Sequence, residues 1–202
     1  MSLKLHHLNA SRSQRLIWLL EELGVQYEVV HYQRDAETRL APAELLNIHP
    51  MGKSPLLEHD SAVIAETGAI AEYLLAKFDG EHKLHPRHDD ESFGRYLEWV
   101  HAAEGAPFLP FLFAVYTTGY GHQGGLLDQK MGAEREKAGR FIEGHLSQNA
   151  YFAGNEFTAA DCLMGFNVAG ALGTGKLGPA SAKWLEKVSQ RPAYQKMLDI
   201  GI

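Results

Sequence analysis

Apolar and polar positions in the first 80 residues fall into short blocks of changing period. Leu3–Leu8 is short, largely apolar and closed by Asn9, Ala10 and Ser11, the pattern of a strand running into a loop. From Ser13 onward, Leu16, Ile17, Leu19, Leu20 and Leu23 recur at helical spacing and Gly24 ends the run, which predicts a helix with Ser13 as its N-cap. Residues 27–32 hold Val29 and Val30 between two tyrosines and predict a second strand, joined to the first by a right-handed crossover if the pair is parallel. Residues 41–48 form a short helical candidate ended by His49 and Pro50. After Ser54-Pro55, residues 56–59, the turn pair Asp60-Ser61 and residues 62–64 make the pattern of a hairpin. Residues 66–78 then carry Ile70, Tyr73, Leu74 and Phe78 at helical spacing. The predicted order is βαβαββα.

Beyond this point the strand signals vanish. Residues 79–90 are polar, contain Gly80 and Pro86, and read as a linker. Helical patterns follow over 93–113, 128–146, 159–168, 180–188 and 192–198, the first interrupted by Gly105, Pro107 and Pro110. The chain is therefore expected to hold an α/β domain at 1–78, a linker at 79–90 and an all-α domain at 91–202.

Composition narrows the function. Of 202 residues, 45% are hydrophobic and 22% charged, which supports a packed core rather than disorder. The formal charge of −6 argues against a nucleic-acid binder or a basic membrane-surface protein, so the expected partner is small. The apolar run Leu16–Leu20 is cut off by Glu21 and Glu22, far short of the ~20 residues of a membrane span. No secretory leader pattern opens the chain, and Cys162 is its single cysteine, so neither an internal disulfide nor a CxxC pair exists. These features favour a cytoplasmic location. They also mean that thiol chemistry needs Cys162 or a bound thiol.

Several motifs have plain structural explanations. The stretch from Gly170 to Lys176 approaches a phosphate-binding loop, but Leu177 stands where a magnesium-binding Ser or Thr is required, and a glycine-rich turn between helices accounts for it. His82, His85 and His88 have metal-ligand chemistry, yet Pro86 interrupts them in the linker, and no metal site is expected. His6 and His7 point to opposite sides of the first strand.

Three other places carry chemistry. Ser11 lies between the first strand and helix, where it is either a turn residue or a hydrogen-bond donor to a bound thiolate. Ser54-Pro55 is an ordinary turn or, if the bond is cis, an outward-facing backbone able to pair with an extended peptide. Glu66-Thr67 opens a helix. Thr67 either caps it or, with its amides, binds a carboxylate, while Glu66 holds an ammonium.

These residues together resemble the cytosolic glutathione transferases, serine-type and bacterial-like. The resemblance rests on Ser11-Arg12-Ser13-Gln14-Arg15, on the run from His49 to Pro55, on Glu66-Thr67, and on Thr158-Ala159-Ala160-Asp161, which is similar to that family's buried helix-capping box. It implies a thioredoxin-like N-terminal domain, a helical C-terminal domain, and conjugation of the glutathione thiolate to small apolar electrophiles. It further implies that Ser11 stabilises the thiolate, with Asn9 and Ser13 close enough to share or take over the role. Ser54 would pair through its backbone with the cysteinyl part, Glu66 and Thr67 would hold the γ-glutamyl end, and Lys53 would sit near the glycyl end. Glutathione is the implied co-substrate and a homodimer the implied assembly, with Glu104 reaching across to the partner's site. The electrophile pocket would lie between the domains, with Phe108, Phe111, Phe113 and Tyr116 as its aromatic surface. A glutathione-binding module without catalysis and a glutathione-dependent peroxidase are the alternatives within the same fold.

Overall fold

A computed structural model describes residues 2–172 and 177–201. The chain forms two compact units, one of Met1–His85 with Ser189–Ile202 and one of Pro86–Val188.

The first unit is thioredoxin-like. Its strands are β1 (Leu3–Leu8), β2 (Glu28–Tyr32), β3 (Leu56–His59) and β4 (Ala62–Ala65), in the spatial order β2-β1-β3-β4. β1 runs parallel to β2 and antiparallel to β3, and β3 and β4 form the hairpin, turned at Asp60 with a left-handed φ of 53°. Helix α1 (Ser13–Leu23) crosses from β1 to β2 and ends at Gly24, whose φ of 65° is the left-handed conformation that lets a helix stop without a Cβ clash. The helical candidate at 41–48 is a 3-10 turn over Ala43–Asn47, and Gly52 packs so closely beneath it that a Cβ there would lie 2.8 Å from Leu46 Cδ2. Helix α2 (Thr67–Phe78) follows β4 directly.

The five consecutive apolar residues Leu16–Leu20 are all buried, which a surface helix with one apolar stripe does not explain. The last helix, α8 (Pro192–Ile200), supplies the second covering: Tyr194 meets Trp18 edge to face, with ring centroids 4.8 Å apart. Arg191 grips Glu22 through two nitrogens at 2.6 and 2.7 Å, and Lys196 reaches Glu21 at 2.6 Å. A segment expected to belong with the helical region thus completes the α/β unit.

The second unit holds α3 (Phe93–Ala102), α4 (Leu109–Gly119), α5 (Leu126–Leu146), α6 (Ala159–Leu172) and α7 (Pro179–Ser189). The expected helix over 93–113 is two helices. They part around Gly105, where a Cβ would lie 2.9 Å from the His101 carbonyl, and Pro110 sits in the first turn of the second, where its missing N–H costs nothing. Trp99 stacks on Phe141 and leans on Phe152, which in turn meets Trp184. Asp161 ties this cluster to the start of α6. Its two oxygens accept the N–H groups of Phe152 and Thr158 and the Trp184 indole N–H, and burial pushes its pKa up to about 6 against those donors. Cys162, beside it, is fully buried. Of the glycine-rich stretch, residues 173–176 lie outside the described residues.

Candidate active site

The sheet gathers the candidate residues at one end. β1 ends at Leu8 and leads into the Ser11 loop, and β3 begins after Ser54-Pro55. β4 ends opposite that point, since Leu56 pairs with Ala65, so Glu66-Thr67 leaves the sheet beside Ser54-Pro55. The termini of α1 and α2 that face this end are both N-termini, where unpaired amides favour negative charge.

Ser54 joins two of these segments. Its hydroxyl donates to the His6 carbonyl at 2.9 Å and accepts the Leu8 N–H at 3.2 Å, and the following Pro55 is cis. That hydroxyl is committed to β1, so the backbone is the part of Ser54 left to meet a ligand. Lys53, just before it, is exposed.

Glu66 occupies the N-cap position of α2 with φ 73° and ψ 124°, a conformation that costs a non-glycine residue roughly 1–3 kcal/mol. It makes no side-chain cap bond, and its side chain is exposed. Thr67 opens the helix proper and is 97% buried, at 3% exposure. The first amides of α2 are therefore not closed off by Glu66, and its carboxylate is free to point at a cation instead.

Around Ser11 the structure departs from the expected cap. Arg12 holds the N-cap position without a side-chain cap bond, Ser13 is already inside the helix, and it is the Ser11 hydroxyl that accepts the Ser13 N–H, at 3.3 Å. The two hydroxyls lie 2.7 Å apart, and Ser13 Oγ is 2.8 Å from His7 Nδ1. Ser11 keeps 6% of its surface exposed whereas Ser13 has none, so of the two only Ser11 can touch a ligand. Asn9 is half-buried. Its side-chain oxygen accepts the Arg34 N–H at 2.8 Å, which commits that end of the amide to holding the chain after β2.

His7 is 1% exposed, and burial, reinforced by repulsion from His31, lowers its pKa to about 4 while the Gly201 backbone pulls weakly the other way. It is neutral at physiological pH. His6 faces the other side of β1, as alternation requires, and meets Tyr32 Oη at 2.9 Å and Glu58 at 2.8 Å. The link from His7 through Ser13 to Ser11 was not legible in the sequence. Alternation gives the side of the strand on which His7 lies but not which helix residue sits above it.

In the second unit Phe108 and Phe111 are buried as packing residues, while Phe113 and Tyr116 line a concavity of about 800 Å³ with Tyr120, Leu126 and Leu127. Glu104 is exposed at the end of α3. His85 bonds Asp79 and His88 stacks on Phe93, and no group of three or more metal-ligating side chains occurs among the described residues. Among them, too, no helix is long and apolar enough to cross a membrane.

Comparison with known proteins gives one consistent answer. Residues 1–76 match the family model described as glutathione S-transferase, N-terminal domain. Glutathione S-transferase 3 of Schizosaccharomyces pombe is 33% identical, over 94% of this chain and 84% of its own length, and glutathione S-transferase 1 of Saccharomyces cerevisiae is also 33% identical, over 95% and 92%. A solved glutathione S-transferase from Actinobacillus pleuropneumoniae superposes with a TM-score of 0.89 at 30% identity, covering 98% of this chain and 92% of that one.

Proposed function

From its place in the glutathione S-transferase family, to which this chain belongs, we infer that it joins the thiolate of glutathione, its co-substrate, to small apolar electrophiles. The finer reading is a serine-type, bacterial-like enzyme. One observation carries it: of Ser11 and Ser13 only Ser11 reaches the surface, at 6% exposure, at the sheet end that also holds Glu66-Thr67 and Ser54, whose own hydroxyl is spent on β1. Its O–H donates to the glutathione sulfur. A hydrogen bond to the charged form favours that form, drawing the thiol pKa from ~8.5 towards neutrality. The thiolate then attacks the electrophilic carbon and the leaving group departs with the bonding electron pair.

Holding the tripeptide falls to the neighbouring segments. The Ser54 backbone pairs with the cysteinyl unit in the manner of an added strand. The Thr67 hydroxyl and the first amides of α2 take the γ-glutamyl carboxylate, and the Glu66 carboxylate takes its ammonium. Lys53, exposed beside Ser54, meets the glycyl carboxylate. Pre-positioning the sulfur supplies the rest of the acceleration by turning a bimolecular encounter into a local one.

We place the enzyme in the cytoplasm as a homodimer. The exposed Leu46 and Met51 of the first unit leave apolar surface for a second copy, and a single-chain mass in sedimentation at micromolar concentration would remove the dimer. The reaction itself is tested by titrating the thiol of bound glutathione by its ultraviolet thiolate absorbance. A pKa well below that of free glutathione, with conjugation of an aromatic chloride, is the expected result. An unshifted thiol with no conjugate formed would leave a binding module.

A further inference from the structure

Between β1 and α1 one residue stands in a strained backbone conformation. Ala10 has a φ of 48°, in the left-handed region where a Cβ crowds the backbone, and Ser11 follows it directly. A residue stays there only when its surroundings hold it. Downstream the chain is fixed by the start of α1: the Ser11 carbonyl accepts the Gln14 N–H and the Ser11 hydroxyl accepts the Ser13 N–H, both at 3.3 Å. Upstream the Asn9 N–H donates to the Tyr32 carbonyl at 3.1 Å. Ala10 is the joint between two anchored pieces.

The Asn9–Ala10 peptide unit decides how that joint is set. A peptide unit turns as a rigid plate, so relaxing Ala10 to a negative φ by rotating the plate swings the Asn9 carbonyl oxygen to a new direction. Arg34 holds that oxygen. Its Nε–H donates to the Asn9 carbonyl at 3.2 Å, while its backbone N–H donates to the Asn9 side-chain oxygen at 2.8 Å. The guanidinium is braced in turn, because Nη1 donates to the Arg39 carbonyl at 3.0 Å. The loop that carries Arg39 is itself tied: the Asp35 N–H donates to the Leu40 carbonyl at 3.0 Å, and Asp35 Oδ1 accepts the Thr38 N–H at 2.7 Å. Guanidinium donors sit in a planar fork of fixed geometry, so carbonyls from two different loops are held in one relation.

Resting on the Ser11 reading above, we propose that Arg34 is a positioning residue: its fork locks the Asn9 carbonyl, keeps Ala10 left-handed, and so sets Ser11 where the glutathione sulfur arrives. Arg34 acts through the backbone. Its part is the direction of a carbonyl, not its own charge.

The test compares Arg34→Met, Ala10→Gly, Ser11→Ala and the double variants Arg34→Met/Ala10→Gly and Arg34→Met/Ser11→Ala. Bound-thiol pKa and steady-state kinetics with an aromatic chloride are measured for each. Arg34→Met is expected to raise the bound-thiol pKa by about 0.3 to 1 unit and lower kcat about two- to ten-fold below that pKa, with KM for glutathione changing less. Arg34→Gln, too short to span both carbonyls, serves if Arg34→Met does not fold. Glycine adopts a positive φ as readily as a negative one, so Ala10→Gly alone stays within about two-fold of wild type and, added to Arg34→Met, restores most of both losses. With Ser11 already replaced, Arg34→Met adds less than about two-fold, because no donor is left to position. An unchanged thiol pKa in Arg34→Met overturns the proposal. So does a loss that Ala10→Gly fails to restore, which would mark Arg34 as a charge or a direct ligand contact, and so does an equal loss with and without Ser11. If Ser11→Ala itself leaves the thiol pKa unshifted, the Ser11 assignment fails and the Arg34 role falls with it. A shifted Ser11→Ala beside an unshifted Arg34→Met removes the Arg34 role alone.

Discussion

The hydroxyls of Ser11 and Ser13 lie 2.7 Å apart, the first at the edge of accessible surface and the second wholly beneath it. On the proposed reading, replacing Ser11 by Ala removes the donor that meets the ligand. A hydrogen bond to a charged acceptor contributes about 1.5–3 kcal/mol, so kcat with an aromatic chloride should fall at least about ten-fold while glutathione affinity changes less. Asn9→Ala is the control. If it loses the activity and Ser11→Ala does not, the thiolate is held by the amide instead.

Thr67→Ala and Glu66→Gln test the anchoring of the γ-glutamyl end. Each proposed contact meets a charged group, so calorimetry should show glutathione affinity falling roughly five- to one-hundred-fold in either variant. A pure capping role for Thr67 predicts the opposite pattern, a lowered melting temperature with affinity intact. For Glu66 a further check exists. Glu66→Gly relieves the left-handed backbone at that position, so it should stabilise the fold relative to Glu66→Gln while binding as weakly.

Burial of His7 makes stability depend on pH in a definite sense. Its folded pKa of about 4 lies below the unfolded value of 6.5, so the unfolded chain binds the extra proton and stability is lost as pH falls from about 6.5 to 4. The shift corresponds to a loss of at most roughly 3 kcal/mol. Asp161, raised to about 6, works the other way: its contribution grows as pH falls from about 6 to 4. Comparing wild type with His7→Leu cancels Asp161, and denaturant titrations across this window should show the variant losing less stability on acidification. A variant that loses as much as wild type would deny His7 this role.

Asp161→Asn keeps one carbonyl oxygen but puts an NH2 where the other accepted a hydrogen bond. Either Thr158 N–H or Phe152 N–H then faces a donor in a buried place. The expected cost is about 2 kcal/mol, a fall of roughly 4 to 8 °C in melting temperature for a chain of this size. Glutathione affinity should not change, since Asp161 belongs to the second unit and the proposed binding residues belong to the first.

Much of the first unit was legible because its signals are local. The short apolar run Leu3–Leu8, the stop at Gly24 and the Asp60-Ser61 turn each act within a few residues, and the elements form where those signals place them. Ser11, Ser54, Glu66 and Thr67 stand out as candidates for the same reason: each sits at a strand or helix end, which the sequence marks. What was not legible depends on contacts between distant segments. Arg191 on Glu22 and Tyr194 on Trp18 span most of the chain, and nothing in the spacing of residues 192–198 distinguishes a helix that packs on α1 from one that packs on α7. The split of 93–113 into two helices was visible only as two prolines and a glycine, whose effect depends on where each falls in the turn.

The docking of α8 on α1 also bears on how the protein is made. A chain leaving the ribosome offers β1 through α2 early, with Leu16–Leu20 covered on one side only. The segment that closes the other side emerges after all of Pro86–Val188, on the order of 5 to 20 seconds later at about 5–20 residues per second. For that interval the nascent N-terminal unit carries an open apolar helix face, the kind of surface that chaperones hold. The unit started first is the last to close.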